Sequence, residues 1–426
     1  MQKKVLVIHG WAQSNKGDWA IETNTFKLLK KIDPSIKIYL SSIFYKGDMR
    51  IKTENEKKLK EFDVEVFGGL VPTPVVINNS KNRFNRKLFN VVYFQFRSVL
   101  LLLNAILLRI NKNLIFFEEL QPYIKSNLYI VKGGTFILTL KGISGILFFY
   151  RIMFPFIIAF VLGKKILIFP HSFGPFHSKL LNFLLQIILN SKVVKFIFTR
   201  ELTSVVMLED IGVVKTKIYC FPDMAFLNLK NNKITQKRDP LKIALTLRNY
   251  SFNEKQKVNQ SIYNSLLQTI AKFIRNHPDY QFDLFPQVIG PDPREDDRIV
   301  YNDLILRCNS KNIKIIDDDF SPNEIEEHLS HYQLLIGMRM HSIIFALKSG
   351  VKVIGISYLG PKHEGIFNAF GISDCLIPVE LISYELLESK FTTVINTIYN
   401  FDKQLEAYKQ QFVNLEFMVK NEIFSK

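Results

Sequence analysis

Two side chains suited to anions, Arg339 and His341, stand two residues apart in L-L-I-G-M-R-M-H-S at 334–342. An apolar run ends at Gly337, and a second, I-I-F-A-L at 343–347, follows it. This pattern predicts a strand, a tight turn and a helix anchored by its apolar face. Arg339 and His341 then fall on the turn and the first helical residues, where backbone N–H groups lack intrahelical partners. A guanidinium, an imidazolium and those N–H groups converging on one point suit a compact dianion. The simpler alternative pairs Arg339 with a structural carboxylate and makes His341 a helix cap. Arg248, in L-T-L-R-N-Y at 245–250, ends another apolar run and adds a fork that grips carboxylate or phosphate bidentately. Lys362 and His363, in P-K-H-E-G-I-F, follow a further strand and add positive charge. F-P-Q-V at 285–288 sets Gln287 at one more strand end.

The first half of the chain carries a second group of loops. H-G-W-A-Q-S-N-K-G-D-W-A-I at 9–21 leads from a strand into a helix, as an anion-binding turn or as an ordinary turn with Asp18 as N-cap. It holds neither the dinucleotide G-x-G-x-x-G nor the Walker pattern. V-K-G-G-T-F at 131–136 places Gly133 and Gly134 where a backbone can approach closely. F-P-H-S-F-G-P-F at 169–176 offers His171 as a general base or as a hydrogen-bonded loop histidine, with Ser172 beside it. No G-x-S-x-G elbow supports a serine triad. T-R-E-L-T-S at 199–204 and F-P-D-M-A-F at 221–226 bring Arg200 and Asp223 to strand ends, where an ion pair and an N-cap are the plain alternatives.

Positioning these residues requires a scaffold, and the apolar pattern supplies one. Strands are predicted at Val5–Ile8, Leu128–Val131, Ile166–Phe169, Phe196–Phe198 and Ile218–Phe221. A second set falls at Ile243–Leu247, Phe282–Phe285, Ile313–Ile316, Leu334–Ile336 and Val353–Ile356, with helical patterns between them. Strand–helix alternation predicts α/β architecture with parallel sheets. The polar, basic stretch 228–240 reads as a linker. The organisation is a Rossmann-like domain over 1–228, a second over 241–382 and a helical tail over 383–426, with a cleft between the domains as the default site.

The chain has 426 residues, enough for two cores, and 47% of them are hydrophobic against 22% charged. Its formal net charge of +17 favours anionic partners. The basic residues form no recognised nucleic-acid motif, so a pure binder of nucleic acid is disfavoured. Cys220, Cys308 and Cys375 lie far apart without C-x-x-C spacing, which argues against a disulfide framework or zinc site and fits a reducing cytoplasm. The apolar stretches 87–110 and 143–162 approach membrane-span length. Arg97, Arg109, Arg151 and Pro155 interrupt them, so both are expected as buried or interfacial helices.

Taken together, the motifs resemble the polysaccharide pyruvyl transferase family over roughly 5–375. The N-x-G-D loop is matched by Asn15, Gly17 and Asp18, the G-G pair by Gly133 and Gly134, and S-x-G-P by Ser172, Gly174 and Pro175. R-D/E-x-x-S is matched by Arg200, Glu201 and Ser204, P-D by Pro222 and Asp223, and G-x-R-x-H by Gly337, Arg339 and His341. D-D-R at 296–298 resembles the members tied to exopolysaccharide synthesis. Two departures stand out: His171 replaces the usual Gln, and Tyr358 and Lys362 are one residue further apart than Y-x-x-K.

The resemblance implies two Rossmann-like domains facing across a cleft, similar to the GT-B glycosyltransferases. It implies transfer of a carboxyethylidene group from phosphoenolpyruvate to two hydroxyls of one sugar in exopolysaccharide or capsule synthesis. The catalytic candidates are Arg339, His341 and His171, and the substrate-binding candidates are Arg248, Lys362, Gln287 and the loops above. No metal or cofactor is demanded. The acceptor is a free or lipid-linked saccharide, and the basic, apolar segment 81–112 suits an anionic membrane face or, equally, a core helix with a solvated edge. The expected location is cytoplasmic, peripheral at the inner face of the membrane. The rival reading is a GT-B glycosyltransferase using a nucleotide sugar.

Overall fold

The computed structural model describes residues 2–56, 61–71, 83–111, 114–229, 238–249, 258–358 and 362–425, with the side chains of 83–91, 258 and 259 also outside the description. The chain divides into two compact units. The first comprises residues 1–13, 21–224 and 413–426, and the second 14–20 and 225–412.

The first unit is built on a parallel sheet. Its strands are β1 (Lys4–Gly10), β2 (Lys37–Tyr45), β3 (Val64–Gly69), β4 (Leu128–Val131), β5 (Gly134–Thr139), β6 (Lys165–Phe176), β7 (Val194–Thr199) and β8 (Lys217–Cys220). They run in the order β3-β2-β1-β4-β6-β7-β8, with β5 beside β6. Leu6, Val7 and Ile8, and all of β4, are buried, which is why these segments read as continuous apolar runs rather than alternating ones. The helices are α1 (Lys16–Ile32), α2 (Arg83–Ile110), α3 (Gly142–Leu162), α4 (Lys179–Leu189) and α5 (Leu202–Asp210).

The second unit repeats the plan with β9 (Asp239–Thr246), β10 (Gln281–Leu284), β11 (Ile313–Ile315), β12 (Tyr332–Gly337), β13 (Lys352–Ser357) and β14 (Leu376–Pro378). Their order, β11-β10-β9-β12-β13-β14, is the doubly wound 3-2-1-4-5-6 arrangement. Its helices are α6 (Val258–Asn276), α7 (Asp297–Cys308), α8 (Pro322–Leu329), α9 (Met340–Lys348), α10 (Lys362–Ala369), α11 (Tyr384–Asn396) and most of the first half of α12 (Asp402–Phe424).

Three boundaries differ from the expected ones. The tail is not a separate body: residues 402–412 join the second unit and 413–426 the first. There, Lys31 pairs with Glu416 at 2.6 Å and Lys165 with Glu422 at 3.4 Å. Residues 14–20 belong by their contacts to the second unit, although the rest of it begins only at Ala225. Of the expected linker, residues 230–237 lie outside the description, and β9 begins inside its far end.

Both long apolar stretches are helical, and by length and composition 92–110 and 142–162 are each capable of crossing a membrane. In the structure α3 packs into the first unit, burying Phe149, Ile152, Met153, Phe154 and Phe156. Arg151 donates from Nη2 to the Ile43 carbonyl at 3.0 Å, and burial draws its pKa down to about 10. The helix ends at Gly163, whose φ of 64° is the left-handed C-terminal position that glycine fills without strain.

Candidate functional site

In the second unit the site grows from the carboxyl ends of four adjacent strands. Gln287 follows β10, Arg248 follows β9, Arg339 follows β12 and Tyr358 follows β13. The strand order reverses between β9 and β12, so Arg248 and Arg339 flank the switch point where open α/β sheets bind ligands.

The start of α9 is pinned from several directions. The Met338 N–H donates to the Thr246 carbonyl at 2.7 Å, the Thr246 and Ser342 hydroxyls lie 2.6 Å apart, and Ser342 Oγ donates to the Arg339 carbonyl at 2.6 Å. Arg339 is the N-cap residue of α9, in extended conformation, so its side chain leaves the helix at its positive end.

Arg339 does have a carboxylate partner. Its Nε donates to Asp297 Oδ1 at 3.1 Å, and its Nη2 pairs with the same oxygen. Asp297 is fully buried, and its Oδ2 accepts from the Gln287 and Val288 amides, both at 3.0 Å. Burial pushes the Asp297 carboxyl up, against the pull of Arg339 and those amides. For Arg339 burial opposes the charge, but Asp297 and the neighbouring tyrosines outweigh it and hold the guanidinium firmly charged. Nη1 takes part in neither bond to Asp297. The pairing therefore fixes the fork's orientation and leaves one edge outside it. Asp297, absent from the sequence candidates, was marked only by the D-D-R run.

Tyr358 is the second residue that sequence reasoning left without a role. Its ring is 5% exposed, with the Arg248 guanidinium 4.9 Å and the Lys362 ammonium 5.3 Å from its centroid. Burial alone would raise the phenol's pKa. Lys362, Arg248 and Arg339 overcome that and bring it down to about 7. The longer Tyr358–Lys362 spacing thus still leaves Lys362 over the ring, with 359–361 outside the described residues. His363 corrects the expectation of added charge. It is fully buried, its Nε2 is 2.9 Å from the Met338 carbonyl, and burial and Lys362 lower its pKa to about 3, so it is neutral.

The Asn15–Asp18 loop joins this same group. The Lys16 N–H donates to the Gln287 carbonyl at 2.9 Å, and Lys16 Nζ pairs with Asp319. Asn15, not Asp18, caps α1: its Oδ1 accepts from the Asp18 N–H at 3.3 Å, because the helix starts two residues before the expected Asp18 cap. Gly17 lies against the His341 ring so closely that a Cβ there would sit 1.9 Å from Nδ1. Gly17→Ala must therefore displace the imidazole. We expect this variant to fold, yet to lose about 100-fold in turnover, the scale of a ~1 Å misplacement, and to resemble His341→Ala in steady-state kinetics.

Gln287 is the most telling member. Its side chain is buried, and among the described residues neither Nε2 nor Oε1 has a hydrogen-bond partner. Leaving such a group unsatisfied costs about 1–3 kcal/mol, which a ligand amide, hydroxyl or carboxylate would offset.

The first unit gathers its own candidates at the carboxyl ends of β4, β7 and β8 and in the second half of β6, in a closed network. Arg200 donates to the Gly134 carbonyl at 2.9 Å and to Ser172 Oγ at 2.8 Å, and pairs with Asp223. Ser172 Oγ donates to Glu201 at 2.9 Å. The Arg200 and Asp223 side chains are almost wholly buried and bind each other, so they shape the Gly133–Gly134 loop rather than present charge. Gly133 is required there, since a Cβ would lie 2.6 Å from the Pro170 carbonyl.

His171 is fully buried, and its Nε2 accepts from the Phe136 and Ile137 amides, both at 3.2 Å. Burial first, then Arg200, holds its pKa well below the usual value. A neutral imidazole with that nitrogen occupied braces β5 and is poorly placed to exchange protons. This departs from the acid/base role expected of it. His9, at the end of β1, is also buried and has a φ of 66°, strain of the kind found at functional sites.

Two doubly wound parallel α/β units with ligand-type residues at the strand ends define a GT-B-type fold. Solved structures agree. The chain is similar to a UDP-N-acetylglucosamine 2-epimerase, described as putative, from Listeria monocytogenes, at TM-score 0.57 and 11% identity, covering 100% of this chain and 98% of the other. It is similar to the UDP-GlcNAc 2-epimerase of Neisseria meningitidis, at TM-score 0.55 and 12% identity over 98% and 100%. At such identity the likeness concerns the fold alone. The family model for polysaccharide pyruvyl transferase matches residues 15–360, and the chain belongs to that family. A relative, the amylovoran biosynthesis protein AmsJ of Erwinia amylovora, is 24% identical over 325 residues, 72% of this chain and 73% of the relative. Family membership makes this a transferase of polysaccharide modification.

Proposed function

We propose that this chain transfers a carboxyethylidene group from phosphoenolpyruvate to two hydroxyls of one saccharide, closing a cyclic ketal and releasing phosphate. The observation that carries the donor assignment is the buried Gln287 side-chain amide, without a hydrogen-bond partner among the described residues, whose main-chain N–H is tied through Asp297 to Arg339, with Arg248, Lys362 and Tyr358 on neighbouring strand ends. A small molecule bearing both phosphate and carboxylate needs several fixed cations and a neutral donor in one place, and this set offers them.

The chemistry adds a proton to the donor's methylene carbon while the first hydroxyl oxygen bonds to the enol carbon. The bond from that carbon to the phosphate oxygen then breaks as the second hydroxyl closes the ring. Of the two hydroxyl protons, one replaces the proton given to the methylene and the other leaves with phosphate. Tyr358, with a pKa near neutrality, and His341 are the groups in this unit suited to moving those protons. Arg248, Arg339 and Lys362 stabilise the departing phosphate. The acceptor is a free or lipid-carried saccharide on the cytoplasmic side.

Incubation with phosphoenolpyruvate and lipid-linked saccharide extracts tests this reading. Phosphate release should accompany an acceptor heavier by about 70 Da, the increment when a pyruvyl ketal replaces two hydroxyl hydrogens. The same cations suit a diphosphate, and the Neisseria neighbour was solved with UDP-GlcNAc bound. Thermal stabilisation by UDP-sugars but not by phosphoenolpyruvate would favour a glycosyltransferase instead.

A further inference from the structure

We infer that the outer faces of α2, α3 and α4 form one surface that docks on an anionic lipid leaflet. The inference goes beyond the donor chemistry and does not depend on it.

Over its described side chains, 92–110, helix α2 carries apolar residues on its outer as well as its inner face, which is unusual for a helix at a protein surface. Its inner face buries Phe94, Leu101, Ala105 and Leu108. Its outer face exposes Val92, Phe96, Val99, Leu103, Ile106 and Ile110, with Phe96 62% and Ile110 81% exposed. Helix α3 packs against both α2 and α4, and exposes Ile143. Helix α4 exposes Leu180, Phe183 and Ile187. Exposed large apolar side chains on three helices that pack side by side exceed the scattered exposure normal for a surface in water and call for an occupant.

Charge identifies the occupant. Between Val66 and Arg200 there are seventeen lysines and arginines and two acidic residues, Glu118 and Glu119. The net charge of that third is therefore +15 in sequence, of which Lys132, Lys165 and Arg200 are paired with Glu22, Glu422 and Asp223 from outside it. Both acids are already paired, Glu118 with Lys46 at 2.9 Å and Glu119 with Arg97 at 2.5 Å. Arg109, Lys141, Lys179 and Lys192 are exposed around the apolar faces. A second copy of this chain would bring positive charge against positive charge. Anionic headgroups over an acyl boundary match both the charge and the apolar area. The outer-face spacing on α2 alternates four and three residues, as in a coiled-coil seam, but no acidic residue on α2 provides complementary pairs at its flanks. Lys81 and Lys112 lie outside the described residues, as do the side chains of Arg83, Arg86 and Lys87.

The test uses the full chain with vesicles of phosphatidylcholine alone or mixed in equal parts with phosphatidylglycerol. Flotation at low salt should recover the protein with the mixed vesicles and not with the neutral ones, and salt should release it. Phe96→Glu with Phe183→Glu should cut partitioning by more than about tenfold, by placing charge in the acyl boundary. Lys141→Glu with Lys179→Glu should weaken it by about tenfold or more while leaving the apolar faces intact. Thermal unfolding of each variant identifies any that fails to fold, and the charge-reversal pair stands as the second arm. Equal recovery with both vesicle types overturns the proposal. So does an absence of vesicle binding together with a dimer, seen by sedimentation, that Phe96→Glu dissociates. Vesicles contain no phosphoenolpyruvate, so failure here leaves the donor reading untouched, and the reverse also holds.

Discussion

Replacing Arg339 by Lys is expected to reduce transfer from phosphoenolpyruvate by about 10²–10³-fold, close to the loss in Arg339→Ala, although the charge is kept. The reason is geometric. Asp297 holds the fork through Nε and Nη2, and a point charge on a flexible stem cannot reproduce that fixed orientation. Stability separates this role from scaffolding. Arg339→Ala strands the fully buried Asp297 carboxylate, at a cost of about 3–5 kcal/mol in unfolding free energy. Adding Asp297→Asn removes the stranded charge while keeping an oxygen for the Gln287 and Val288 amides. The double variant should recover most of the lost stability and none of the lost turnover. Denaturant unfolding and phosphate release, measured on the same three proteins, check both halves. Recovery of activity along with stability would make Arg339 a purely structural residue.

Tyr358→Phe carries the second large effect, and it is read through pH. Above about pH 7 the Tyr358 phenol is ionised beside Lys362, Arg248 and Arg339. An incoming dianion competes with that tyrosinate for the same cations and favours its protonated form. Donor binding should therefore take up a proton, and KM for phosphoenolpyruvate should rise as pH increases through 7 in the parent protein but much less in Tyr358→Phe. The variant should also lose about 10²–10⁴-fold in kcat if the phenol donates the proton to the methylene carbon. The folded pKa lies below the ordinary value of 10, so the ionised form contributes stability that is complete above the unfolded value and lost as pH falls through about 7. The parent's melting temperature relative to Tyr358→Phe should accordingly rise between pH 7 and 10. The near-ultraviolet tyrosinate band should titrate with a midpoint near 7 and be absent from the variant. A flat difference across that window would remove Tyr358 from proton transfer.

Much of this arrangement was legible before any coordinates. Strands buried on both faces, such as Leu128–Val131 and Tyr332–Gly337, announce themselves as apolar runs ending in Gly or two residues before one. The helix after Arg339 followed from the apolar run 343–347. What escaped has physical causes. β2 breaks its run with Ser41 and Ser42, β3 mixes Glu65 with two glycines, and β14 is three residues long. Asp297 escaped because a carboxylate in a charged run looks solvated until packing buries it. Tyr358 escaped because its acidity is a property of three cations contributed by three separate segments. His171 and Arg200 were visible as chemistry-bearing types, but sequence cannot tell a presented side chain from one consumed by neighbours.

The peptide Ser14–Ala20 has a consequence for how such proteins can be recombined. It precedes nearly all of the first unit in the chain, yet its backbone pairs with Gln287 and Val288 and its Gly17 fits the His341 ring. A chimera joined near residue 228 would take this peptide from one parent and its seat from the other. Half-swaps between relatives should therefore fail unless the heptapeptide travels with the downstream half.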